Sequence, residues 1–356
     1  MKERQNNLRQ MMQKNQLDAV LLTNGVNIRY YTGFSSWECE VLITDKTCYL
    51  VTDFRYTIQA KAQAGSCAEI IEANGREKQL DVLRELLRAN GCKCCGYEQE
   101  CLTVKQFSEY RAFDLDWSAF GDEISSLRAI KSASEIESLQ KAQCIADKAF
   151  AALIPKLKIG MSERQAEAEL NYLCSVLGSE GPSFDPIVGA GENGAMCHAV
   201  PGERRFRNGD LVVFDFGCIV DGYHSDMTRT IGFGTIDAEL LKIYEITLEA
   251  QQRCLDTLKA GMTGKALDAV ARDCIESYGY GEHFGHGLGH GFGLEIHEPP
   301  RAAKTSVDTL VAGMTVTIEP GIYLEGKGGV RIEDCVVVTD AGCLNLVSTA
   351  RDLLIV

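Results

Sequence analysis

The chain has 356 residues, which exceeds one typical hydrophobic core and suggests roughly two domains. Its 45% hydrophobic and 24% charged content are those of an ordinary globular protein. A formal charge of −14 argues against nucleic acid or an anionic membrane as partner, and no apolar run is long enough to span a bilayer. The polar start, Met1-Lys2-Glu3-Arg4, leads into no signal segment, so a cytoplasmic location is expected. The odd count of 15 cysteines fits free thiols in a reducing cytosol. Cys92, Cys94 and Cys95 lack a second Cys or His pair at zinc-site spacing.

In chain order, Leu8–Gln16 reads as a helix and Asp18–Thr23 as a short apolar strand. Val41–Thr52 reads as two strands about a Thr44–Thr47 turn, followed by helices at 56–64 and 76–90, the latter stopped by Gly91. A boundary is expected near 122–132. Beyond it, Ser134 and Glu137 have capping-box spacing for a helix running towards Leu153, and Ser162 suits the N-cap of the next. Past residue 180, glycine-rich turns separate strand-like runs at 211–216, 314–318 and 334–338, with helices at 237–260 and 264–278. This mixed order predicts an α+β chain: a small N-terminal α/β domain, 1–125, and a larger domain, 126–356.

All six histidines fall between His198 and His297, beside unusual acids. Asp215 ends the apolar run Val212-Val-Phe-Asp-Phe, where a carboxylate is costly unless paired. Asp226 follows eleven residues later, a distance that suits two strands turning at Val220–Tyr223. The segment His286-Gly-Leu-Gly-His290-Gly-Phe-Gly-Leu-Glu-Ile-His297 has no dinucleotide-loop register, but its glycines allow close backbone approach to a ligand. Glu319 and Glu333 sit in or beside strand-like runs. Four such acids with one histidine make a poor core and a good pair of divalent-cation sites; without cations the carboxylates would raise each other's pKa.

These segments resemble the pita-bread metallopeptidases, namely prolidase, aminopeptidase P and, more distantly, methionine aminopeptidase. The resemblance implies a creatinase-like N-terminal domain followed by a pita-bread catalytic domain. It implies two divalent ions, manganese by expectation with cobalt or zinc also suited, held by Asp215, Asp226, His290, Glu319 and Glu333. Asp226 and Glu333 would bridge the ions, and Glu319 would shuttle a proton. His198 matches a histidine near the scissile bond, and His297 one that hydrogen-bonds the scissile carbonyl. His286 and Arg331 match positions of the proline-specific branch. His224 reads as packing or support, and His283 as surface. Arg301 could fork onto a substrate carboxylate or make a surface salt bridge.

The implied activity is hydrolysis of the Xaa-Pro bond in small peptides with proline second. The short chain and Asp53-Phe-Arg-Tyr56 resemble bacterial Xaa-Pro aminopeptidases, the expectation here; a dipeptidase (prolidase) would share the same catalytic residues. A non-catalytic relative, or one like creatinase, should have lost some of the five ligands, and this chain has lost none. The family is commonly dimeric, so a homodimer is expected.

Overall fold

The helix Lys2–Lys14 opens a computed structural model that describes residues 1–356. It leads into a six-stranded mixed sheet, ordered 69–72, 48–52, 39–44, 19–22, 94–97, 116–119. The strands at 19–22, 39–44 and 48–52 pair antiparallel; the outer pairings are parallel. Ala19–Leu22 and Cys39–Thr44 are buried along their whole length, whereas the edges Glu69–Glu72 and Asp116–Ala119 carry exposed acids at their ends. Buried central strands and charged edges are how an open sheet avoids pairing with other chains. The Thr44–Thr47 turn forms, with Thr44 N–H donating to the Thr47 carbonyl at 2.9 Å. Gly91, at φ 67°, follows the Arg76–Ala89 helix in the left-handed conformation that suits glycine.

Two compact units result, Met1–Arg128 and Ala129–Val356. The Gly121–Ala129 helix carries the division past 125, because Ile124 is fully buried and Arg128 donates to Asn27 of the first unit.

In the second unit the first long helix is Ala133–Leu153, and its capping box is Ser132 with Glu135 rather than Ser134 with Glu137. Both pairs satisfy the same spacing, but Ser134 already lies within the first turn, so Ser132 is the residue placed to cap. Ser162 caps Glu163–Val176 with Gln165 as its box partner. The strand Leu211–Phe216 lies between Ile187–Ala190 and Met227–Gly232, both antiparallel to it. Phe214 and Phe216 face Phe150 of the long helix, with ring centroids 5.9 and 5.7 Å away. Strand alternation then turns Asp215 to the opposite face. A second three-stranded sheet, 315–318, 334–338 and 343–345, packs with the helices Ala238–Thr257 and Gly264–Ser277 around Ile243, Leu267, Val316 and Val336. Hairpins pair 289–291 with 298–302 and 321–324 with 328–331. No helix is long and apolar enough to cross a membrane.

Candidate metal centre

Antiparallel pairing sets Thr228 opposite Asp215, so Asp226 stands two residues from Asp215's partner and on the same face. The turn between them is tight: Asp221 and Gly222 have φ 52° and 77°, the left-handed pair of a two-residue hairpin. Glu319 closes the strand Thr315–Ile318 just before Pro320, which cannot extend the ladder. Glu333 lies between the strands Gly328–Arg331 and Asp334–Val338, its N–H on the Thr228 carbonyl at 3.1 Å. His290 comes from the hairpin opposite Arg301.

All five side chains line one cavity of about 630 Å³, with His198, His297, Phe184, Ile187 and Val200 on its other walls. Asp226, His290 and Glu333 each offer a ligand atom within 4.8 Å of the others. His290 Nδ1–H donates to the Gly291 carbonyl at 3.0 Å, which turns Nε2 and its lone pair towards Asp226 Oδ2 at 3.7 Å and Glu319 Oε1 at 3.4 Å. Asp215 is 8%, Asp226 4% and Glu333 1% exposed.

Buried carboxylates this close resist ionising. Burial and the charges of Glu333 and Asp215 push the Asp226 carboxyl well above its usual range. Burial and Glu319 do the same to Glu333. Glu319 is pushed up to about 8, first by burial, with Arg331 pulling the other way. Burial pushes His290 down to about 4, aided by His297 and Arg301, so it stays neutral and able to ligate. Asp215 Oδ1 and Asp226 Oδ1 are buried without a hydrogen-bond partner in the protein. Such an oxygen costs about 1–3 kcal/mol or more when left unsatisfied. Four acids, one neutral imidazole and two unpartnered oxygens form a donor set that divalent cations fit.

A hydrogen-bonded layer behind the carboxylates includes two residues that sequence reasoning did not single out. Arg331, 3% exposed, donates to Asp215 Oδ2 at 2.5 Å, Tyr323 Oη at 2.8 Å and Thr228 Oγ1 at 3.1 Å. Thr228 Oγ1–H donates in turn to Glu333 Oε2 at 2.7 Å. Tyr323 donates to His286 Nε2 at 2.9 Å, and His286 Nδ1–H reaches the Gly287 carbonyl at 2.7 Å. Burial pushes His286 down to about 4, which keeps it an acceptor for Tyr323. Thr228 was discoverable as the residue two beyond Asp226 on the same strand face; Tyr323 carries no comparable signal.

Arg301 lines a second cavity of about 580 Å³ with His290, His297 and Glu319. Its guanidinium is exposed and within ion-pair distance of no acid, so the surface salt bridge does not form; only its backbone N–H bonds Asp308, at 2.7 Å. His198 and His297 are exposed in the cavity, whereas His224 and His283 do not line it. In the first unit, Arg55 of Asp53-Phe-Arg-Tyr56 forks onto Asp53 at 2.7 and 3.1 Å, a local turn contact that says nothing of substrate length.

The chain matches the model of metallopeptidase family M24 over residues 137–340, and that of the creatinase/prolidase N-terminal domain over 4–130. It is 38% identical to an Xaa-Pro dipeptidase of Pyrococcus furiosus, over 99% of this chain and all of that protein. An Xaa-Pro dipeptidase structure from Bacillus anthracis superposes with a TM-score of 0.96 at 40% identity, covering 99% of each chain. An X-Pro aminopeptidase structure from Thermotoga maritima gives 0.90 at 37% identity, covering 96% of this chain and 98% of that one.

Proposed function

The chain belongs to metallopeptidase family M24, and on that premise we propose that it is an Xaa-Pro dipeptidase, a hydrolase of the bond in front of proline. The observation that carries the reading is the single cavity lined by Asp215, Asp226, His290, Glu319 and Glu333, with two buried carboxylate oxygens left for a ligand. In this reading those five residues would hold two divalent cations, and Asp226 and Glu333 are the two that would contribute to both. The chemistry that bound cations supply is an acidified water and neutralisation of the charge developing on the scissile carbonyl.

The protein's own residues do the rest. Glu319 Oε1 is occupied by Thr317 Oγ1–H at 3.1 Å and faces His290, which leaves Oε2 without a protein partner in the cavity, suited to move a proton. His297 donates to the carbonyl oxygen as negative charge builds there. His198, which lines the same cavity, flanks the scissile bond. Arg331 orients Asp215 and, through Thr228, Glu333. Arg301 takes the free carboxylate of the dipeptide, a role favoured by its lack of any protein acid.

Dipeptide cleavage is preferred to the longer-peptide expectation because the Pyrococcus furiosus relative is named an Xaa-Pro dipeptidase and the Bacillus anthracis dipeptidase superposes better than the aminopeptidase, 0.96 against 0.90. The Thermotoga maritima neighbour supports a second reading, an Xaa-Pro aminopeptidase using the same residues. In the same proposal the ions are manganese, which the oxygen-rich donor set suits alongside cobalt or zinc. The enzyme is a homodimer of the cytosol, a compartment in which its fifteen free thiols would persist. Elemental analysis and light scattering of the purified protein check the metal and the assembly. Comparing kcat/KM for Ala-Pro and Ala-Pro-Ala on manganese-loaded protein tests the substrate: preference for the dipeptide is expected, and preference for the tripeptide would establish the second reading.

A further inference from the structure

Behind Glu333, away from the cavity, lies an arginine to which neither the sequence pattern nor the proposed chemistry gives a role. Arg229 sits on the Met227–Gly232 strand and is 3% exposed. Strand alternation turns it away from Asp226 and Thr228. Its neighbours on that face, Met227 and Ile231, join an apolar core, where an unpaired guanidinium would be prohibitive. The cation is instead fully committed. Nη1 donates to the Glu333 carbonyl at 2.6 Å and the Thr228 carbonyl at 2.9 Å. Nη2 reaches Asp334 Oδ1 at 2.7 Å and the Thr349 carbonyl at 2.7 Å, while Nε reaches the Ala350 carbonyl at 2.9 Å.

Three chain segments therefore meet on one planar fork: the strand that follows Asp226, the backbone that carries Glu333, and the tail at 349–350. The tail is tied down independently. Asp147 of the Ala133–Leu153 helix accepts from Ser348 N–H and Oγ at 3.0 and 2.7 Å, and from Thr349 N–H and Oγ1 at 3.1 and 2.6 Å. On the cavity side, Thr230 Oγ1–H adds a bond to the Arg331 carbonyl at 2.9 Å. Two carboxylates can share a pair of ions only if their backbones keep a spacing good to about 0.5 Å.

We infer that Arg229, braced by the Ser348–Ala350 tail and Asp147, is a positioning residue that fixes the separation of Asp226 and Glu333 and so governs uptake of the second divalent ion. The inference rests on the two-ion reading above. No atom of Arg229 need touch an ion or the substrate. Lysine at this position would keep the charge beside Asp334 but could not span the Glu333 carbonyl and the tail together.

The test is calorimetric titration of Mn²⁺ into metal-free full-length protein, well below the melting temperature. Wild type should take two ions. Arg229→Lys should bind the first as wild type does and the second at least tenfold more weakly. Asp147→Asn, which loosens the tail without touching the fork, should weaken the second ion at least threefold, and it decides the matter alone if Arg229→Lys does not fold. Tyr244→Phe removes the tyrosine bond to the Arg351 carbonyl, 2.7 Å in the same tail, and should lower Tm while leaving the isotherm unchanged. Wild-type affinities in folded Arg229→Lys and Asp147→Asn, or an equal weakening in Tyr244→Phe, would overturn the clamp. A wild type that takes up fewer than two ions would instead overturn the two-ion assignment beneath it.

Discussion

Replacing Arg301 with alanine separates recognition of the substrate's end from stability of the fold. The guanidinium is exposed, has no acid of its own chain within ion-pair distance, and borders the cavity shared by His290, His297 and Glu319. Its removal therefore breaks no side-chain hydrogen bond or ion pair of the protein, and Tm should stay within about 1 °C, as for surface changes of under 0.5 kcal/mol. A bond between ionised partners contributes about 1.5–3 kcal/mol, and solvent access at this site argues for that range rather than for the larger cost of breaking a buried pair. At about 1.4 kcal/mol per tenfold, kcat/KM for Ala-Pro should fall roughly 10–150-fold. The loss should appear mainly in KM if the carboxylate is held equally in ground and transition states. Ala-Pro-Ala places an amide where the carboxylate would be, so its slower hydrolysis should change by less than about threefold, a difference under 1 kcal/mol. Steady-state kinetics on both peptides, with both proteins loaded alike with manganese, gives the four constants. An equal loss on the two peptides, or a fall in Tm of several degrees, would refute the anchor and make Arg301 structural.

Asp226→Ala and Glu333→Ala should each abolish hydrolysis and lower bound metal from two ions to one or none, because each carboxylate is assigned to both ions; two tightly held ions in an active mutant would contradict that sharing. His297→Ala should lower kcat by about 10²–10³-fold with metal content unchanged, and loss of metal would move His297 into the ligand set. Glu192 is held down to about 2, chiefly by its hydrogen bond with Arg204, so its stabilising effect exists above the ordinary glutamate range and is lost as pH falls towards 2. The side chain is 50% exposed, so the effect is under about 1 kcal/mol; Glu192→Gln should melt slightly below wild type at pH 7, with the gap closing towards pH 2, and a gap that widens on acidification would exclude this linkage.

Local patterns were readable wherever the cause is local. The strand at Leu211–Phe216, the hairpin turn at Asp221-Gly222 and the cap at Ser162 each depend on residues within a few positions, and each forms where the residue pattern puts it. The capping box was misplaced by two residues because Ser132 and Ser134 satisfy the same rule, and only the path of the chain entering the helix chooses between them. The four acids and the imidazole stood out because charge in apolar strands demands a partner, and the eleven-residue spacing of the two aspartates suits one hairpin.

The layer behind them was not legible. Arg331 reaches Asp215 across 116 residues, Thr228 reaches Glu333 across 105, and Arg229 reaches the tail across 121. Such bonds depend on which strands become neighbours and at what register, and a one-residue slip would turn every one of these side chains to the other face. Whether Arg301 finds an acid of its own chain is equally a matter of what the fold brings near. Residue type and spacing thus singled out on their own acids in or beside apolar strand-like runs and a cluster of histidines near them. Only the tertiary structure decided which backbone groups surround them and which cation is left without an acid of its own chain, because hydrogen-bond partners are chosen by distance in space and not by distance along the chain.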